Sequence, residues 1–191
     1  MRKIVYYVAS SLDGFISGPN GDISGFVGES DGLIQYITDL KEFDTVIMGR
    51  NTYEFGYKFG MKPGQVPGLY AHMKNYVFSN SLVLEKPDPQ INVKKIELKN
   101  IDELRKQSGT DIYLCGGGKF AGWLLNNERI DILKIKLNPL IIGKGVPIFE
   151  NVTTQYKTEL IDQQVYDKGL QIITYKIRYD KSKARNDRRI Y

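Results

Sequence analysis

A predicted strand that runs directly into three glycines and then into a predicted helix constrains this chain more than any other feature. Residues 111–125 read DIYLCGGGKFAGWLL, with a short buried-strand pattern first and apolar residues at helical spacing afterwards. The glycines Gly116–Gly118 allow a tight turn and leave backbone N–H groups uncovered where the helix begins. Those N–H groups and the helix dipole favour an anion, so the turn predicts a phosphate or pyrophosphate site. The alternative is that the glycines only let the helix pack on the strand.

The glycine-rich loops of other nucleotide-binding classes do not fit. A doubly wound dinucleotide fold places G-x-G-x-x-G in its first strand–helix unit, whereas here the spacing from Gly116 is G-x-G-x-x-x-G, late in the chain. Gly143 and Lys144 resemble the end of a Walker loop, but Gly145 stands where Ser or Thr is required. One histidine and one cysteine cannot supply the ligands of a zinc deaminase, so no metal site is predicted.

Composition indicates a single folded domain. A chain of 191 residues can bury one sizeable core. It has one cysteine, no secretion signal and no apolar run near the roughly 20 residues of a membrane span, so we expect a cytoplasmic protein without a membrane or disulfides. Residues 180–191 contribute +3 of the net charge of +5 and are expected to form a basic, disordered tail. The nearly neutral body then argues against nucleic-acid binding.

Along residues 1–179 the hydrophobic pattern alternates between strands and helices. Strands are predicted at 3–9, 45–48, 75–78, 93–98, 132–137, 157–166 and 170–179, and helices at 33–40, 50–55, 101–107 and after the glycines. Ser30 or Asp31 is expected to cap the first helix. The predicted fold class is therefore α/β in three layers, with a mixed, mostly parallel sheet and a C-terminal antiparallel hairpin.

Four motifs occur in the order and spacing of one superfamily. They are SLDG at 11–14, VIMGRNTYE at 46–54, LCGGG at 114–118 and PLIIGKGVPIF at 139–149. Over residues 2–179 the chain resembles dihydrofolate reductase-like proteins. More narrowly, it is similar to stand-alone proteins built like the C-terminal reductase domain of the bacterial riboflavin-biosynthesis deaminase/reductase. The resemblance implies a dihydrofolate reductase-like fold and an NADPH-dependent reductase.

The resemblance also assigns positions in this sequence to the cofactor. Those implied to bind NADPH are Ala9, Leu12 and Gly14 at the nicotinamide, Gly49, Arg50 and Thr52 at a helix start, Ser79 and Ser81 at the adenosine 2′-phosphate, and Gly116, Gly117, Gly118, Lys119 and Phe120 at the pyrophosphate. In the folate-reductase family the first two glycines of the turn are joined by a cis peptide, which here is the bond between Gly116 and Gly117.

The residues themselves agree with this cofactor. Two helix starts at one crevice, together with Arg50, offer several charge-assisted hydrogen bonds to a doubly phosphorylated ligand. No acidic residue lies beside Ser79 to repel a 2′-phosphate. We therefore predict that NADPH is preferred over NADH. The alternative for Arg50 is an ordinary surface ion pair.

Hydride transfer requires an acceptor carbon about 3–3.5 Å from the nicotinamide and a source of a proton. The candidate catalytic residues are Asp13 and Asp31. The alternative for Asp13, in the sequence Leu-Asp-Gly, is an Asx turn or loop cap.

The substrate stays open at this stage. The chain has neither the Pro-Trp pair nor the late threonine of folate reductases, and Asp31 lies only near the position of their acidic residue. The resemblance implies a small heterocycle or ribosylamino-pyrimidine, such as 5-amino-6-(5-phosphoribosylamino)uracil. The alternatives are a dihydrofolate or pterin reductase, and a non-catalytic NADPH-binding protein.

The final predicted strand also favours a homodimer. It carries Tyr175, Ile177 and Tyr179 on one face, which we expect to form an apolar edge that a monomer would leave exposed. The resemblance supports this expectation, because reductase domains of the riboflavin type pair in this region.

Overall fold

The computed structural model describes residues 1–180, so the predicted basic tail lies, apart from Asp180, outside the described residues. The strands are β1 (Ile4–Ser10), β2 (Phe15–Ser17), β3 (Thr45–Gly49), β4 (Lys74–Phe78), β5 (Ile91–Lys94), β6 (Ile112–Gly116), β7 (Ile132–Leu137), β8 (Val146–Pro147), β9 (Lys157–Val165) and β10 (Gln171–Arg178). The α-helices are α1 (Asp31–Leu40), α2 (Arg50–Phe55), α3 (Leu98–Lys106) and α4 (Gly118–Asn126). Within the described residues, no helix is long and apolar enough to cross a membrane.

Eight strands form one sheet in the order β5-β4-β3-β6-β1-β7-β10-β9. The first six are parallel to their neighbours, and β10 is antiparallel to both β7 and β9. The predicted mixed, mostly parallel sheet with a C-terminal antiparallel hairpin is therefore confirmed. Because the carboxyl ends of parallel strands meet at one edge of a sheet, the segments that follow β1, β3, β6 and β7 lie at the same edge.

Side chains that alternate along the strands fill a core on each face of the sheet. On one face, Tyr6 packs in a cluster with α3 and α4 residues such as Ile101 and Leu124. On the other face, Tyr7 packs in a cluster with Leu40 of α1 and Tyr53 of α2. The sheet is thus the middle of three layers, as predicted.

Local sequence explains where α1 begins. The hydroxyl of Ser30 accepts a hydrogen bond of 3.0 Å from the backbone N–H of Leu33, so Ser30 is the N-cap and Asp31 is the first helical residue. A serine at this position satisfies one of the N–H groups that the first turn leaves without a helical partner.

The strand predicted at 93–98 is placed differently by the structure. β5 begins two residues earlier and ends at Lys94, and Leu98 is already the first residue of α3. Its pairing with β4 runs from Asn75 opposite Ile91 to Phe78 opposite Lys94. Leu98, Ile101 and Leu104 instead follow helical spacing, and the last two are buried against the sheet.

The apolar edge assigned to Tyr175, Ile177 and Tyr179 was wrong. These side chains pack into the core, and the hydroxyl of Tyr179 donates a 2.6 Å hydrogen bond to the carbonyl of Ile130. They are inside because β10 lies between β7 and β9. The edge strand is β9, whose nine residues are all exposed.

Candidate functional site

The turns after β3 and β6 meet at the carboxyl edge of the sheet. Gly49 is the N-cap of α2 and Gly117 is the N-cap of α4, and no side chain of residues 1–180 caps either helix. A Cβ atom added at Gly49 would lie 3.2 Å from Cβ of Phe120, and one added at Gly117 would lie 3.1 Å from Oγ1 of Thr52. The structure therefore brings together four of the residues that the sequence assigned to one crevice.

The glycine turn has an unusual backbone. The peptide between Gly116 and Gly117 is cis, in agreement with the implication of the resemblance. Gly116 also has a φ of 126°, in the region that favours glycine.

Two glycines of this segment have a packing role. A Cβ at Gly118 would lie 2.4 Å from the carbonyl oxygen of Pro147, and one at Gly122 would lie 1.8 Å from that of Glu150. α4 can therefore approach the backbone of residues 147–150 only because both positions lack a side chain. The alternative raised from the sequence was that glycines let the helix pack closely on the strand. Gly118 and Gly122 do allow close packing of α4, but against residues 147–150 rather than against the strand. Gly117 instead faces Thr52 across the crevice.

Arg50 forms the ion pair given as its alternative and also contacts a second position that the resemblance assigns to the cofactor. Its Nε donates a 2.8 Å hydrogen bond to Oε1 of Glu54, and its Nη1 donates a 3.1 Å hydrogen bond to Oγ of Ser81. The side chain of Arg50 is 43% exposed, so it remains available to an anion. Ser81 follows β4, the neighbour of β3, and the contact joins two positions assigned to a 2′-phosphate.

The other two side chains of this region differ in accessibility. Ser79 is buried, and its hydroxyl accepts hydrogen bonds of 3.1 and 3.0 Å from the N–H groups of Ser81 and Leu82. Its oxygen therefore stabilises the turn after β4. Lys119, in the first turn of α4, is exposed.

The segment after β1 lies next to the glycine turn. Ala9 is half-buried near the end of β1, and the N–H of Leu12 donates a 2.8 Å hydrogen bond to the carbonyl of Leu140. Gly14, with φ 82°, accepts a 2.9 Å hydrogen bond from the N–H of Ile148. Cδ1 of Ile16 would lie 3.9 Å from a Cβ at Gly117, so this segment borders the same crevice.

Asp13 anchors a loop through its carboxylate. The carboxylate accepts hydrogen bonds from the Ser11 hydroxyl at 2.6 Å and from the N–H groups of Gly143 at 2.7 Å and Ile142 at 3.1 Å. The Ser11 hydroxyl first, and the two backbone donors after it, lower the pKa of Asp13 to about 2. Asp13 is therefore ionised near neutral pH and holds no proton to donate.

Asp31 lies beside the turn of the C-terminal hairpin. Its backbone N–H donates a 2.8 Å hydrogen bond to Oδ1 of Asp167, and its side chain is exposed. The neighbouring Gly32 packs against Tyr166 and Leu170 of the same hairpin. Within the described chain, none of the contacts of Asp31 involves the glycine turn.

A cluster of tyrosines on the α1 face of the sheet was not predicted from the sequence. The hydroxyls of Tyr36 and Tyr113 are 2.8 Å apart, and the hydroxyl of Tyr70 is 3.1 Å from Sγ of Cys115. Burial raises the pKa of Tyr36, Tyr70 and Tyr113, so these hydroxyls keep their protons at neutral pH. Burial also raises the pKa of the Cys115 thiol, which makes it an unreactive group.

This cluster borders a cavity of about 310 Å³. Its wall includes Thr52, from the helix that follows β3, and Cys115, from the neighbouring strand β6. Met48 and Tyr70 also line it. The volume is at the lower end of the range for small-molecule sites, which suits a compact ligand.

The face of the sheet that α1 covers carries two lysines that were not predicted to be site residues. Nζ of Lys134 donates a 2.7 Å hydrogen bond to Oδ2 of Asp39, which also accepts a 3.0 Å bond from the Tyr7 hydroxyl. Lys136 is only 6% exposed. The alternation Ile-Leu-Lys-Ile-Lys-Leu of β7 was a usable signal, because a strand covered on both faces cannot send its polar residues to solvent.

The fold and the crevice define a reductase-like α/β domain. The chain belongs to the RibD C-terminal domain family, whose model matches residues 2–172.

Solved structures support the same fold. A protein from Shewanella sp. PV-4, described as a candidate riboflavin biosynthesis protein, is 24% identical, with a TM-score of 0.77 and coverage of 94% of this chain and 100% of that one. The deaminase/5-amino-6-(5-phosphoribosylamino)uracil reductase of Thermotoga maritima is 16% identical, with a TM-score of 0.69, and the alignment covers 93% of this chain but 57% of that protein. Dihydrofolate reductase of Enterococcus faecalis, solved with NADP(H), is 16% identical, with a TM-score of 0.65 and coverage of 93% and 97%.

Proposed function

We propose that the protein is an NADPH-dependent reductase that transfers a hydride to a small heterocyclic or ribosylamino-pyrimidine substrate. The observation that carries this proposal is the hydrogen bond between Arg50 and Ser81 beside the uncapped start of α4. The names of the similar structures support it, since both a phosphoribosylaminouracil reductase and a dihydrofolate reductase share the fold. The single free cysteine fits a reducing compartment, and we propose the cytoplasm.

The crevice fits a dinucleotide phosphate cofactor. At Gly117 the space next to Thr52 is one that a methyl group would fill, so the backbone there is open to close approach. The first-turn N–H groups of α4 would hold the pyrophosphate. Arg50 and Ser81 would hold the 2′-phosphate through charge-assisted hydrogen bonds.

On the substrate side, the residues of the cavity orient a compact ring and exclude water. Bound NADPH supplies the hydride. Thr52 faces Gly117 and also lines the cavity, so a ring held in the cavity would lie beside the crevice at the glycine turn. Tyr53 and Tyr70 both line the cavity, and burial keeps both hydroxyls protonated near neutral pH. The Tyr53 hydroxyl donates to the carbonyl of Gln65, so we assign the role of proton-holding group to Tyr70.

Cofactor binding and turnover test the proposal separately. We expect NADPH fluorescence to change on titration with the protein, and NADPH to bind more tightly than NADH. Oxidation of NADPH should then be followed with a panel of pterins, pyrimidines and quinazolines, including dihydrofolate. Absence of NADPH binding contradicts the proposal, whereas binding without turnover of any panel member favours the non-catalytic alternative. Tyr70→Phe should bind NADPH normally and lose turnover.

We further propose that two copies associate through β9. This edge strand exposes Leu160 (54%), Ile161 (54%) and Val165 (70%). Its pairing with β10 changes register between Thr174 and Tyr175, and such a bulge interrupts a regular edge. We therefore expect packing of these side chains rather than continuous extension of the sheet.

Light scattering coupled to size exclusion measures the assembly directly. A mass twice the 21.8 kDa of one chain is expected at micromolar concentration, and Ile161→Asp should shift it to the single-chain value. Val83→Asp, which changes an exposed apolar residue outside β9 in the same way, is the matched charge control. A single-chain mass for the wild-type protein contradicts the dimer.

A further inference from the structure

Lys136 is a buried cation for which the described chain provides no counter-ion. The residue is only 6% exposed, and its Nζ makes neither a hydrogen bond nor an ion pair within residues 1–180. The ammonium lies over the ring of Tyr36 in a cation–π contact, with 5.4 Å between Nζ and the ring centroid. A buried ammonium without an anionic partner is costly, so such a group is uncommon unless a ligand completes its surroundings.

The neighbouring acidic group is already used. Asp39, the carboxylate of α1 on this face, is bonded to Lys134 and to the Tyr7 hydroxyl. Tyr36 is fixed too, because its ring packs edge-on against Tyr7 at 4.8 Å and its hydroxyl contacts Tyr113. Burial lowers the pKa of Lys136.

Lys136 lies at the edge of the sheet where the crevice is located. It is opposite Ala9 in the pairing of β1 with β7, and it is the second-last residue of β7. β7 is two strands from β6, so Lys136 and the end of β6 are about 10 Å apart across the sheet. A heterocycle bound at the glycine turn can reach over that distance through a substituent that carries the anion.

The ammonium is not sealed from solvent. In the described chain, Oδ1 of Asn75 is the one side-chain nitrogen or oxygen atom that is completely buried and has no hydrogen-bond partner. The Nζ of Lys136, which is also unpartnered in the described chain, therefore keeps some exposure to solvent.

We propose that Lys136 and the ring of Tyr36 form a subsite for a carboxylate carried by the substrate. A single lysine, with no arginine contacting it in the described chain, neutralises one negative charge and suits a monoanion. A phosphate would call for several convergent donors. The inference rests on the proposed function, in that the anion belongs to a molecule bound in the reductase crevice.

The experiment compares the full-length wild-type protein with Lys136→Met and Lys134→Met. Both substitutions remove a lysine from the same face of the same strand, but within the described chain only Lys134 has an acidic partner. Binding of benzoate and acetate is measured by calorimetry, with and without NADPH, and benzamide and inorganic phosphate are the comparison ligands. NADPH affinity is measured for each variant by fluorescence.

We expect the wild-type protein and Lys134→Met to bind benzoate or acetate, and Lys136→Met to bind it at least about tenfold more weakly, as expected for the loss of a charged hydrogen bond. NADPH affinity should be equal in the wild type and Lys136→Met. Thermal unfolding should show Lys136→Met to be at least as stable as the wild type, because no ion pair is broken. Lys136→Gln, a polar replacement, guards against a packing defect and should give the same loss.

Four results would overturn the subsite: no binding of either carboxylate, equal binding to Lys136→Met, benzamide binding as tightly as benzoate, or binding of phosphate alone. A wild-type protein that binds carboxylates through Lys136 but not NADPH would instead contradict the proposed function while leaving the anion subsite in place.

Discussion

On the glycine side of the crevice the groups offered to a ligand are mainly backbone, whereas on the α1 side they are buried side chains. The glycine side is made by Gly49 and Gly117. They begin the helices that follow the neighbouring strands β3 and β6, and no side chain of the described residues caps either helix. The α1 side is made by Lys136, Tyr36 and Tyr113, which come from three separate elements.

This difference separates two kinds of recognition. Backbone N–H groups and a helix dipole suit phosphates, which many ligands share. Buried polar side chains discriminate more strongly, because a ligand that leaves them without a partner incurs their desolvation cost. The glycine side is thus suited to the cofactor and the α1 side to the choice of substrate.

The largest effect is expected for a glycine that serves packing alone. In Gly122→Ala the new Cβ would lie 1.8 Å from the carbonyl oxygen of Glu150, so helix and backbone must move apart. We expect a loss of about 3 kcal/mol or more in the free energy of unfolding, measured by urea denaturation. Gly28→Ala, which has no atom within 4 Å of the added Cβ, is the control. Equal stability of the two variants would show that α4 does not depend on this contact.

Gly117→Ala is expected to separate binding from folding. Its φ of −90° is open to alanine, and the closest atom is a hydroxyl oxygen at 3.1 Å. The protein should therefore fold, while the methyl group blocks close approach of a phosphate to the turn. We expect NADPH affinity to fall about a hundredfold, as measured by fluorescence titration. Normal NADPH binding by this variant would remove Gly117 from the cofactor site.

Arg50→Ala tests the side-chain contribution on the glycine side. Loss of a charge-assisted hydrogen bond should weaken NADPH binding roughly tenfold to a hundredfold, with little effect on NADH. Glu54→Gln is the matched control, because it removes the ion-pair partner of Arg50 but leaves the guanidinium in place. Equal losses for NADPH and NADH would indicate a pyrophosphate contact instead.

The smallest effect is expected at Asp13. Its pKa is lowered to about 2 by the Ser11 hydroxyl and two backbone donors, so its stabilising effect is present above the ordinary carboxyl pKa and is lost as the pH falls through about 2. Asp13→Asn should lack that acid-side decrease in the thermal midpoint and should keep its turnover near neutral pH. Loss of neutral turnover without loss of stability would restore Asp13 as a catalytic residue.

The local motifs were readable from sequence because their physics is local. Three glycines after a strand predict a turn and a bare helix start wherever they occur, and the cis peptide at Gly116 followed from the resemblance. The periodicity of residues 157–179 likewise predicted the terminal hairpin. The position of β9 at the edge did not follow, because strand order depends on which strands pair across the whole chain.

Individual features likewise fall into those that the sequence could predict and those that only the structure revealed. The sequence by itself determined the α/β class and the glycine turn that leads into a helix, since each depends on short segments with strong conformational preferences. Only the tertiary structure decided that Asp13 ties down a loop, that Gly122 admits the backbone of Glu150 and that Lys136 has no acidic partner among residues 1–180. Those outcomes depend on contacts between residues far apart in the sequence, and burial and electrostatic environment are properties of the assembled fold.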